Sequence, residues 1–311
     1  MSSKKPAGMR ALQRKPLLIF YLAGVFCLLL MTAIAPTGLF YRWVSSWEAR
    51  SVMASAPPME WHSEHFIVRY DGEEHTDAQI VAEAGEAVIE QVHRDFGLKW
   101  NPREKISVIV MNDRLSLSRS LGLGTHHSVL GAYFRGVIWI LAPHVWLPDY
   151  QDDDPESALE RREIAFRQEG PMVHELTHLV LDRRTQGRIP AWLNEGLAQY
   201  EEYLLNGWEW IEPANRIDQQ LYTLDELNRS FDSLENQALS YRQSYLFIRF
   251  LVDTGGSEIL EELLDGLQAG KNAQLVLEDL LDSDWRSIEW QYRKWLETEV
   301  MEDDRAYFGG R

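Results

Sequence analysis

The segment Gly170-Pro171-Met172-Val173-His174-Glu175-Leu176-Thr177-His178-Leu179-Val180-Leu181 constrains this chain more than any other stretch. Wound as an α-helix, residues four apart share a face, so His174 and His178 offer two imidazoles side by side and Glu175 reaches the adjoining position. Apolar Val173, Leu176, Leu179, Val180 and Leu181 would bury the helix. Pro171 suits its first turn and Gln186-Gly187 its end. Two imidazoles at this spacing suit a single metal ion, with Glu175 beside an open coordination position. The plainer reading is two polar residues on the exposed side of an amphipathic core helix. A further ligand decides between the two, because catalytic zinc takes three protein ligands and keeps a fourth position for water.

That ligand is suggested by Pro190-Ala191-Trp192-Leu193-Asn194-Glu195-Gly196-Leu197-Ala198-Gln199-Tyr200. HELTH followed by WLNEGLA resembles the gluzincin metallopeptidases, with WLNEG similar to the aminopeptidase branch and the whole closer to small membrane-anchored domains of the peptidase MA-like kind. The likeness is specific across residues 170–202 and covers 60–300 in outline. It implies an α+β zincin-like domain with a small mixed sheet and a mostly helical C-terminal half. It also implies Zn2+ on His174, His178 and Glu195, with Glu175 as general base and a peptide or protein as substrate. Local chemistry agrees: Pro190 can open a second helix, Gly196 would let that helix approach the zinc helix, and Glu195, between Leu193 and Leu197, needs a partner if buried. One departure is Gln199, where related enzymes often carry an acid that orients a zinc-bound histidine.

The same resemblance places two further elements. Gly131-Ala132-Tyr133, before the zinc helix, corresponds to an edge strand that binds the substrate backbone by strand addition, the other reading being a plain core strand. Ala238 to Phe247 looks like the helix whose tyrosine reaches the cleft. Tyr241 is the first choice for donating to the developing oxyanion and Tyr245, on the same face, the second; a packed aromatic is the alternative for either. The implied reaction is hydrolysis of a peptide bond, with Glu175 taking the proton of a zinc-activated water and passing it to the leaving amine. No acidic segment suited to anchoring a substrate amine precedes the zinc helix, which favours an endopeptidase.

Two readings from other classes compete: a catalytically silent zincin-fold binding or sensor ectodomain, and a zinc-free membrane-anchored interaction protein. The remaining histidines, His62, His65, His75, His93, His126, His127 and His144, read as structural or exposed. Asp149, Asp152, Asp153, Asp154 and Glu156 lack EF-hand spacing and read as a solvated acidic loop.

From Leu17 to Ala35 there is no charged residue, and a helix of that length rises about 28 Å, close to the hydrocarbon thickness. Lys4, Lys5, Arg10, Arg14 and Lys15 precede it and Phe40, Tyr41, Trp43 and Trp47 follow, the pattern of a single-pass anchor with a cytoplasmic N-terminus and an extracytoplasmic body. The competing reading is a signal peptide cut after Ala33-Ile34-Ala35, against which Pro36 argues. A net charge of −17, despite that basic tail, opposes binding to nucleic acid. Cys27 is the sole cysteine, so no intrachain disulfide exists. Nothing in the sequence sets the oligomeric state.

The chain thus divides into a basic tail (1–16), a transmembrane anchor (17–38), a stalk (39–58), an α+β part bearing the edge strand (59–154), a helical zinc-site part (155–303) and a short tail (304–311). At 311 residues, 45% hydrophobic and 25% charged, it has the composition of a globular protein rather than a disordered or fibrous one. Alternation at Phe66, Val68 and Tyr70 predicts a strand, Thr76-Asp77-Ala78-Gln79 a capping box, Ile106–Met111 another strand, and 129–141 a strand pair or a bulged strand. Thr223-Leu224-Asp225-Glu226 predicts a second capping box.

Overall fold

The computed structural model describes residues 39–72, 75–99, 101, 104–122, 130–147, 155–207 and 209–309. The expected membrane span at 17–38, Cys27, His126, His127 and the aspartates of the acidic loop lie outside them. Among the described residues no helix is long and apolar enough to cross a membrane. Two compact units are present, residues 1–47 and 48–311, and of the first the described residues are the opening turns of helix α1 (Leu39–Met53).

The architecture is α+β. Five strands, β1 (Met59–His62), β2 (Phe66–Tyr70), β3 (Ile106–Met111), β4 (Gly131–Phe134) and β5 (Val137–Leu141), form one mixed sheet in the order β1-β2-β3-β5-β4. The β2 and β3 strands pair in parallel, which requires a crossover, and the long helix α2 (Thr76–Asp95) supplies it. Residues 129–141 resolve into a strand pair, β4 running antiparallel to β5 around a turn at Arg135 and Gly136, both with positive φ. This puts β4 at the sheet edge.

Period-2 alternation sorts the strands onto two layers. Phe66, Val68, Ile106, Val108, Val110, Ile138 and Ile140 point into the main core beneath α2. Ile109, Val137, Trp139 and Leu141 point the other way, against Leu117 of helix α3 (Arg114–Leu121). Ala49, Val52, Met53 and Ala56 pack on that second face, so much of the expected stalk is helix and apolar cover rather than spacer.

The C-terminal half is helical: α4 (Pro155–Glu169), α5 (Met172–Thr185), α6 (Ala191–Asn206), α7 (Leu224–Ser230), α8 (Gln237–Gly255), α9 (Glu258–Gln268), α10 (Ala273–Leu280), α11 (Trp285–Glu299) and α12 (Met301–Gly309). The capping box at α7 forms in both directions, Thr223 Oγ1 accepting from the Glu226 N–H and Glu226 Oε2 accepting from the Thr223 N–H. The one expected at α2 does not. Its N-cap is His75, without a side-chain cap, so Thr76 falls inside the helix and Gln79 Nε2 donates instead to Glu83 Oε1, while Asp77 bonds the backbone N–H and Nδ1 of His144. Residues 304–309 are no tail either. Asp304 is buried, accepts two hydrogen bonds from the Arg242 guanidinium (2.5 and 2.9 Å) and one from the Ile217 N–H (2.8 Å), so its charge locks α12 onto α8.

Candidate metal centre

Helix α5 buries nine residues besides Glu175 and His178, which leaves its His174–Glu175–His178 face turned toward α6 and β4. Its left-handed C-cap is Gln186, as the Gln186-Gly187 stop predicts. The rings of His174 and His178 meet nearly perpendicular, centroids 4.6 Å apart. Glu195 arrives from the first turns of α6, its Oε2 lying 3.2 Å from His174 Nε2 and 3.5 Å from His178 Nε2. One ligand atom from each of the three residues falls within 4.8 Å of the others.

The position of α6 is set on its far side. A Cβ at Gly196 would lie 2.6 Å from the Ser244 carbonyl oxygen of α8. Gly196 therefore permits close approach to α8, not to the zinc helix as its sequence position suggested. The reason is that Glu195 and Gly196, about 100° apart around one helix, cannot face the same neighbour.

A wide cleft of about 1090 Å³ opens over the triad. Gly131, Ala132 and Tyr133 form one wall. There Gly131 lets β4 press on α5, since a Cβ would come within 3.0 Å of Pro171 and Glu175 side-chain atoms. The Leu141 N–H donates to the Leu130 carbonyl, and pairing alternates from there. Gly131 and Tyr133 therefore turn their backbone groups away from β5, toward the free edge. The Tyr133 N–H lies toward the Glu175 carboxylate and favours its charged form. The Tyr133 hydroxyl donates to Asp182 Oδ2 of α5 at 2.6 Å and ties the edge strand to that helix.

The two candidate tyrosines part company in the tertiary structure. Tyr241 lines the cleft, close enough to Glu195 for that carboxylate's charge to act on its hydroxyl. Tyr245, one turn on, is buried beneath Tyr203 and Arg249 and does not line it.

Glu202 was not singled out by the sequence. Its Oε2 accepts from His174 Nδ1 at 2.9 Å, the orienting role that Gln199 cannot fill. Gln199 is buried and lines the cleft without that contact. The signal was present in the spacing, because seven residues is close to two full turns and brings position 202 back to the face of Glu195. His178 Nδ1 is buried and has no hydrogen-bond partner among the described residues.

Charge and burial compete throughout this site. Burial disfavours the imidazolium of His174, yet Glu202, Glu195 and Glu175 outweigh it and hold its pKa well above the ordinary value. Burial would raise Glu195, but His178 and His174 bring it far below the usual carboxylate range. Glu175 moves the other way, burial lifting it despite the two histidines. Burial, then the charges of Glu195, Asp232 and Glu175, raise Tyr241, so its phenol stays protonated.

The other described histidines are accounted for locally. His65 Nδ1 bonds Glu86, His75 stacks on Trp61, His62 pairs with Glu60, and His93 sits in the interior with burial depressing its pKa to about 4.

Residues 160–298, which run from α4 through α11 and hold all three converging side chains, match the family model described as Peptidase MA superfamily. No curated protein matches the chain.

Proposed function

We propose that this chain is a zinc-dependent metallopeptidase that hydrolyses peptide bonds on the extracytoplasmic side of a membrane to which residues 17–38 anchor it. The observation that carries the reading is the convergence of His174, His178 and Glu195, with Glu175 alongside, in one open cleft beside a sheet edge. Two imidazole nitrogens and a carboxylate oxygen are the donor set of a catalytic zinc, and Glu202 behind His174 is the outer partner such a ligand needs. The similarity of residues 160–298 to the peptidase MA superfamily supports the same class. The basic tail, uncharged run and aromatic flank support the topology.

Bound there, zinc would act as a Lewis acid toward the scissile carbonyl and lower the pKa of a water. Glu175 would take the proton of the attacking water and return it to the leaving nitrogen as the C–N bond breaks. The net result is hydroxyl on the acyl carbon and hydrogen on the amine. Tyr241 donates its phenolic hydrogen toward the oxygen on which negative charge develops. The backbone groups of Gly131 and the carbonyl of Tyr133 offer partners to an extended peptide laid along β4.

The test is digestion of a mixed peptide library by the full chain, followed by mass spectrometry. Cleavage is expected with the wild type, abolished by chelator and restored by zinc. Glu175→Gln should retain stoichiometric metal and lose about 10²- to 10⁴-fold in rate. A zinc-loaded wild type that cleaves nothing would overturn the reading and leave a silent binding ectodomain in its place.

A further inference from the structure

The side of the cleft formed by Tyr241 carries aromatic surface that the chemistry of the metal site does not use. Trp210 and Tyr241 line it, meeting edge to face with centroids 6.2 Å apart, and Phe231 backs Tyr241 at 5.3 Å. At its rim is Asp232, on the short 3-10 turn Phe231–Ser233 that leads toward α8. The walls are held in place. Gln237 Nε2 donates to the carbonyls of Phe231 (2.9 Å) and Leu234 (2.8 Å), bracketing the turn, and Asn215 Nδ2 donates to the Trp210 carbonyl at 2.9 Å.

The Asp232 carboxylate is exposed, and no cationic side chain among the described residues pairs with it. It lines the same cleft as Tyr241 and the triad, and its charge reaches the Tyr241 hydroxyl. The other carboxylates near the triad, Glu175, Glu195 and Glu202, are engaged by the histidines or by backbone. No lysine or arginine lines the cleft among the described residues. An aromatic face beside an unpaired carboxylate suits a planar cation, because a guanidinium can stack on the ring while its N–H groups reach the oxygens.

We infer that Asp232, with the rings of Trp210 and Tyr241, forms a subsite that selects peptides carrying a basic side chain, arginine above all. The inference rests on the cleft being the peptide-binding cleft proposed above. It also fits the charge of the chain, since a net charge of −17 raises the local concentration of cationic peptides.

The test separates recognition from hydrolysis. Labelled hexapeptides, identical except for one arginine or its neutral isostere citrulline placed at each position in turn, are titrated against the full-length Glu175→Gln protein and followed by fluorescence anisotropy. Wild-type cleavage of the same peptides is measured in parallel. At one position arginine should bind about five- to tenfold tighter than citrulline. That preference should vanish in Asp232→Asn, invert in Asp232→Lys and persist in Glu169→Gln, whose carboxylate lies elsewhere along the cleft. Equal binding of the two peptides, or a preference that survives Asp232→Asn or is lost in Glu169→Gln, would overturn the inference. An Asp232-dependent preference without any wild-type cleavage would uphold the subsite while refuting the peptidase reading. Cleavage without an arginine preference would do the reverse.

Discussion

Glu202 Oε2 stands 2.9 Å from His174 Nδ1, on the opposite edge of the imidazole from Glu195, so a single ring is bracketed by two carboxylates of the same helix. The contact fixes the ring's rotation and aims Nε2 at the other two ligand groups. Glu202→Ala should therefore weaken zinc binding about 10- to 100-fold, read by competition against a chelating dye. Glu202→Gln, which keeps an acceptor, should lose less. Unchanged affinity in both variants would mean that packing alone orients His174.

Gly196 stands where α6 touches the backbone of α8, and a Cβ there would lie 2.6 Å from the Ser244 carbonyl oxygen and 3.1 Å from Ile248. Backbone cannot step aside as a side-chain tip can. Gly196→Ala should cost about 1–3 kcal/mol, measured as a lower Tm. It should also weaken metal binding, because Glu195 and Tyr241 ride on the two helices that must separate. A full-strength metal site at an unchanged Tm would show that the contact yields freely.

Arg242 and Asp304 are both almost wholly buried, and Glu209 and the Asn215 carbonyl complete the guanidinium's partners. Arg242→Met would leave the Asp304 charge in the interior, a loss of about 3–5 kcal/mol in urea unfolding. Adding Asp304→Leu should recover part of it. Failure of the second substitution to recover any would mean that the hydrogen bond from the Ile217 N–H to Asp304 matters more than the ion pair.

On the far side of α6 from the metal, Glu201 is 1% exposed and shares a hydrogen bond with Asp95, while its Oε1 has no partner among the described residues. Burial, then the Asp95 charge, pushes its pKa up to about 8. The folded state thus holds this proton more tightly than the unfolded chain does. Its stabilising contribution is complete below about pH 4.5 and is lost as pH rises through about 8. Glu201→Gln should flatten the stability profile across that window. At pH 8.5 it should be more stable than wild type by more than about 1.4 kcal/mol, the equivalent of one pKa unit. Parallel profiles for the two proteins would place the proton elsewhere.

Much of this site was legible in the chain because its information is local. Four-residue spacing puts His174 and His178 on one face wherever the helix goes, and Pro190 opens the helix of Glu195 whatever it packs on. Strand alternation likewise identified β2, and residues 106–111 read as a strand, whereas 129–141 read equally as a strand pair or a bulged strand. By itself the sequence determined these elements, their faces and the set of groups able to meet.

Which of those groups meet was decided by tertiary packing alone. The azimuth of α6 comes from Gly196 against α8, and it directs Glu202 rather than Gln199 to His174. The tilt of α8 turns Tyr241 into the cleft and seals Tyr245 beneath Arg249. The order β3-β5-β4 makes Gly131 to Tyr133 an edge, a property of neighbours that no strand carries within itself. Periodicity specifies a face to within a few tens of degrees, whereas a hydrogen bond requires a few tenths of an ångström. Only contacts between residues distant in sequence supply that last increment of order.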